Sequence, residues 1–70
     1  MIEEHNERVS QKRWLTPNEL FREYLISEST QAKYRMERKI PFSKIGKYVR
    51  YDRVKIEQWL EDNAVEVIAS

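Results

Sequence analysis

The sequence predicts a mainly α fold with a small β-hairpin, three short helices plus a two-stranded wing, and three observations carry that expectation. Cap-like residues stand at three helix entries, Thr16, Ser27 and Asp52. The chain's single glycine, Gly46, sits in a β-branched and aromatic stretch. Pro41 separates the helical patterns before it from that stretch.

Each element follows from its residues. Residues 1–13 hold few apolar groups and no sustained period, so they are expected to form a flexible arm, with the ordered domain spanning 14–63. Thr16-Pro17-Asn18-Glu19 is a helix start: threonine caps, proline suits the first helical position, and Glu19 lies where a capping box needs its carboxylate. Leu20, Phe21 and Tyr24 then share one side of a short helix. Ser27, with Thr30 three positions on, caps a second helix expected to reach about Arg38, before Pro41 forces Ile40 into an extended conformation. Helical spacing makes Ala32, Met36 and Ile40 the inward stripe of this helix and turns Tyr34 outward. Phe42, Ile45, Tyr48, Val49 and Tyr51 flank Gly46-Lys47, the turn of a hairpin. Tyr48 at its tip either packs on the sheet, the preferred reading, or lies against a sugar-phosphate backbone. Asp52 caps a third helix with Ile56, Trp59 and Leu60 on one face and Asn63 as its C-cap. Residues 64–70 form a tail that is either an added strand, a dimer contact or a frayed end.

Composition narrows the function classes. A chain of 70 residues makes one small domain, which buries only about 60% of the surface its unfolded chain exposes. It has no cysteine, which excludes disulfides, thiolate zinc sites and thiol nucleophiles. The one histidine, His5, stands among Glu3, Glu4 and Glu7 and is read as solvated. No nucleophile–base pair, phosphate-cradling glycine loop or ligand cluster is visible, so the expectation is no enzyme, no metal and no cofactor. No apolar run approaches the ~18 residues of a membrane span, and the acidic start is unlike a secretory signal. A cytoplasmic location is expected.

The formal net charge of +1 hides an asymmetry. Lys33, Arg35, Arg38, Lys39, Lys44, Lys47, Arg50 and Arg53 face only Glu37 and Asp52, while acids predominate on either side of this block. Segregated positive charge points to a polyanion. On the second helix Ser29, Thr30, Gln31, Lys33, Arg35 and Arg38 are the candidate DNA-binding residues, able to donate to phosphates and to base edges. Lys44, Lys47 and Arg50 extend the set into the hairpin. The competing reading is a solvated polar face, or a module docking an acidic protein partner.

Two helices joined by a short turn, a hairpin and a closing helix make a winged helix-turn-helix. From Leu15 to Leu60 the chain resembles the small excisionase-type winged helix-turn-helix proteins of phages and mobile elements, related to the DNA-binding domains of MerR-like regulators. The resemblance rests on Leu15-Thr16, Ile26-Ser27-Glu28-Ser29-Thr30, Ile40-Pro41-Phe42, Lys44-Ile45-Gly46, Val49-Arg50-Tyr51 and Ile56-Glu57-Gln58-Trp59-Leu60. It implies that the second helix enters the major groove of double-stranded DNA and that the wing lies along an adjacent minor groove or backbone. It also implies a role in recombination beside an integrase or recombinase, or in transcription regulation, as a monomer or weak dimer on DNA. Family members usually carry glycine where this chain has Leu25 and Arg38, small alanines at Leu20 and Phe21, and an aliphatic residue at Gln31. In the family register Tyr34 is buried, in opposition to the helical-spacing reading.

Overall fold

The computed structural model describes residues 12–65, which fold into three helices and one three-stranded antiparallel sheet. The elements are β1 (Trp14–Leu15), α1 (Pro17–Tyr24), α2 (Glu28–Met36), β2 (Ser43–Ile45), β3 (Tyr48–Asp52) and α3 (Arg53–Asp62). Most of the expected arm, His5 included, and the last five tail residues lie outside the described residues.

Helix starts follow local chemistry. Thr16 and Glu19 form a complete capping box: the Glu19 N–H donates to Thr16 Oγ1 at 3.1 Å, and the Thr16 N–H donates to Glu19 Oε1 at 2.9 Å. Ser27 Oγ accepts from the Thr30 N–H at 3.2 Å, and Asp52 Oδ1 from the Val54 N–H at 3.0 Å. Asn63 ends α3, its Nδ2 donating to Trp59 O at 2.8 Å. The ends of α1 and α2 are less usual. Leu25 closes α1 at φ 60°, and Arg38 follows α2 at φ 58°. Lys39 N–H donates to Tyr34 O and Arg38 N–H to Arg35 O, the paired bonds of a Schellman ending in which glycine normally takes the left-handed position. The second helix therefore stops at Met36, two residues short of the expected end.

The sheet has the order β1-β3-β2. Gly46 turns the hairpin at φ 59°, and Ile45 pairs with Tyr48, Lys44 with Val49 and Ser43 with Arg50. The expected two-stranded wing gains a third strand, because Trp14 pairs with Asp52 and Leu15 with Tyr51. Side chains alternate across a sheet. Leu15, Tyr51, Val49 and Lys44 thus share the face toward the helices, while Trp14, Asp52, Arg50, Ser43, Ile45 and Tyr48 share the other.

Leu15, Leu20, Ile40, Tyr51 and Ile56 form the buried core, with Tyr24, Tyr34, Val49 and Trp59 packed against it. Tyr34 meets Trp59 edge to face, with ring centroids 6.3 Å apart. The helical-spacing reading of α2 is corrected: Tyr34 turns inward and Met36 is 86% exposed, as in the family register. The reason is position 31, where Gln31 is wholly buried and brings Tyr34, one turn on, to the same side.

Ordered structure also begins earlier than expected. The Arg13 carbonyl accepts from the Arg53 N–H at 2.7 Å, and its guanidinium pairs with Asp52 at 3.1 Å. Lys12 reaches Glu19 at 2.6 Å. Arg53, counted in the basic block, instead belongs to the interior: its guanidinium donates to Glu23 at 2.6 and 3.1 Å and to Lys12 O at 2.7 Å. A charge this buried persists because each of the three guanidinium nitrogens finds an acceptor and Glu23 supplies the opposite charge.

Candidate nucleic-acid interface

A groove of about 430 Å³ runs between α2 and the β2–β3 hairpin. It is lined by Ala32, Arg35 and Met36 from the helix, by Phe42 ahead of β2, and by Lys44, Lys47 and Val49 from the hairpin. Three cations thus surround an apolar floor, with no carboxylate in the lining. The arrangement follows from the register: Lys44 stands opposite Val49 on the face turned toward the helices, and Lys47 occupies the turn.

Arg35 is held from beneath. Its Nη1 donates to the hydroxyl of Tyr51, whose ring is fully buried in the core. Burial pushes the Tyr51 phenol above its ordinary value of 10.0, with the Arg35 cation working in the opposite direction. Tyr51 is therefore a neutral, fixed acceptor at neutral pH.

The other candidates divide. Lys33 and Arg38 are exposed on α2 and just past its end. Ser29 and Thr30 stand in the first turn, where their hydroxyls lie 3.2 and 2.9 Å from Ser27 Oγ and form part of the helix cap. Gln31 is corrected. It was expected among base-reading residues, but its side chain is buried and its Nε2 donates to Pro17 O at 3.0 Å and Ile26 O at 2.8 Å, so both amide donors are spent inside the fold. Its Oε1 has no protein partner.

Arg50 is separated from Lys44 by the sheet. Its partner across the strand is Ser43, which puts it on the outer face of the sheet beside Trp14 and Ile45. There the Arg50 guanidinium lies 5.8 Å from the Tyr48 ring, and Lys47 Nζ is equally distant. Tyr48 does not pack on the sheet; it is 58% exposed.

Sequence reasoning missed Met36, Phe42 and Tyr51 as parts of this site. A two-residue turn at Gly46-Lys47 fixes the pairing and would have separated Arg50 from Lys44. No protein-family model, curated protein or solved structure matches the chain. Among the described residues no group of histidine, cysteine, aspartate or glutamate could hold a metal ion, and no helix is long and apolar enough to cross a membrane.

Proposed function

We propose that the chain is a winged helix-turn-helix protein that binds double-stranded DNA sequence-specifically. In this reading α2 enters the major groove, whose width admits a single helix, and the β2–β3 hairpin is the wing, lying along the neighbouring backbone. Lys33, with Ser29 and Thr30 from the first turn, faces the bases, and Arg35, Arg38, Lys44 and Lys47 neutralise phosphates. The observation that carries the reading is the α2–hairpin groove, which gathers Arg35, Lys44 and Lys47 from two elements with no acid among them.

The backbone adds support for the family likeness. Leu25 and Arg38, where that family carries glycine, are the two non-glycine residues with positive φ among the described residues. Both roles the likeness implies follow from one binding activity: an excisionase-like accessory factor that bends DNA beside an integrase, or a transcriptional regulator of a prophage or mobile element.

A second reading has its own observation. The outer face of the sheet exposes Trp14, Ile45 and Tyr48 beside Arg13 and Arg50, a surface suited to an acidic, apolar protein partner. Titration of a fluorescent mixed-sequence duplex at low ionic strength separates the two. DNA binding is expected. A protein that ignores duplex DNA under those conditions is the interaction module instead.

A further inference from the structure

The groove between α2 and the hairpin has a feature that a merely basic surface lacks: one of its cations is oriented by the core. Arg35 is long and carries about 2 kcal/mol of rotamer entropy when free. Here its guanidinium is tethered to Tyr51 Oη, and Tyr51 is immobile because its ring fills the core between Leu15, Leu20 and Ile56. Lys44 and Lys47 stand across the groove on the hairpin. The exposed Met36 and Phe42 supply an apolar rim of the kind a deoxyribose can lie against.

We propose that this groove seats a short run of the DNA backbone, with Arg35, Lys44 and Lys47 each facing a phosphodiester, and that Tyr51 is the positioning residue that aims Arg35 at its phosphate. The proposal rests on the DNA-binding reading and deepens it by naming the ligand group and the residue that prepares the site. Charge complementarity identifies the occupant: three cations without an acid need an anion, and an exposed apolar rim disfavours a fully hydrated inorganic ion. Tyr51 meets no ligand. It acts by holding the guanidinium in one orientation before DNA arrives, so that less side-chain freedom is lost on binding.

Tyr51→Phe isolates this role, because it keeps the ring in the core and removes the hydroxyl alone. Binding of a mixed-sequence duplex is measured for wild type, Tyr51→Phe, Arg35→Ala and the double variant, across a salt series. Tyr51→Phe should weaken binding about 3- to 10-fold, the range for losing one pre-ordered side chain, without changing the salt slope. Arg35→Ala should weaken it and lower the slope by about 0.9, the share of one phosphate contact. In the Arg35→Ala background, Tyr51→Phe should have no further effect on affinity.

An equal loss from Tyr51→Phe in both backgrounds would reduce Tyr51 to a structural residue and overturn the positioning role. An unchanged slope in Arg35→Ala would remove the phosphate from Arg35. If wild type itself fails to bind, the DNA-binding reading falls. Thermal melting of each variant separates loss of fold from loss of contact: a melting temperature within a few degrees of wild type licenses the comparison. Should Tyr51→Phe unfold, Arg35→Lys, which leaves the core untouched and keeps the charge without the guanidinium, stands in, with weaker binding at an unchanged slope expected and wild-type affinity overturning the positioning role.

Discussion

At the residue scale, two side chains occupy backbone that suits glycine. Leu25 and Arg38 lie at φ 60° and 58°, where an L-residue crowds its own carbonyl at roughly 1–2 kcal/mol. Glycine removes that crowding and gives back part of the gain as chain entropy. Leu25→Gly and Arg38→Gly should each stabilise the protein by about 0.5–1 kcal/mol in urea unfolding, since both side chains are exposed and little packing is lost. A destabilised Arg38→Gly would mean that its side chain contributes more than the backbone strain removes. These positions were not legible as special from composition, because leucine and arginine are ordinary residues in a helix. Gln31 was hidden for a different reason. Glutamine looks like a surface residue until the two carbonyls that accept from it, one 14 residues earlier in the chain, are brought to it by the fold.

At the element scale, the caps were readable because each involves partners two or three residues apart. Thr16 with Glu19, Ser27 with Thr30 and Asp52 with Val54 need only the local chain to form. The rotation of α2 was not readable in the same way, since the apolar pair Ala32 and Met36 recurs at helical spacing but on the wrong face, and the polar Gln31 marks the buried side. The third strand was too short to announce itself at two residues. The hairpin's turn was evident in Gly46, and its register now makes a distinction that charge alone does not. Lys44→Ala with Lys47→Ala should lower the logarithmic salt slope of DNA binding by about 1.8, two phosphate contacts' worth, with melting unchanged. Arg50→Ala, on the opposite face, should leave the slope where it is. A slope that falls with Arg50→Ala would put the outer face of the sheet against DNA.

On the scale of the whole molecule, two ion pairs tie Lys12 and Arg13 to the helical domain and make its stability sensitive to acid. The Arg13 guanidinium holds the Asp52 carboxyl below its ordinary value of 3.8, and Lys12 holds Glu19 below its ordinary value of 4.5. Both folded values lie below the unfolded ones. Their stabilisation is therefore complete above the unfolded values and is lost as pH falls through the folded ones. Asn and Gln keep the caps while removing the titration. The Asp52→Asn, Glu19→Gln variant should melt at a lower temperature than wild type at pH 7, and the difference should shrink as pH falls from about 5 to about 2. Parallel melting curves across that range would assign the acid limb to other carboxylates.

Within the basic block of residues 33–53, the same molecular frame decides which cations DNA can meet. Arg53 is committed to Glu23 inside the fold, Lys39 lies 3.4 Å from Glu37, and Arg50 faces away from the groove. Lys33, Arg35, Arg38, Lys44 and Lys47 remain. The affinity for a mixed-sequence duplex, measured across a salt series from low ionic strength upward, tests the DNA-binding proposal most directly. Four phosphate contacts, with Lys33 facing a base, predict that the logarithm of the association constant falls against the logarithm of salt with a slope of about −3.6, at about 0.9 for each contact. No binding at the lowest salt, or an affinity indifferent to salt, would contradict the account.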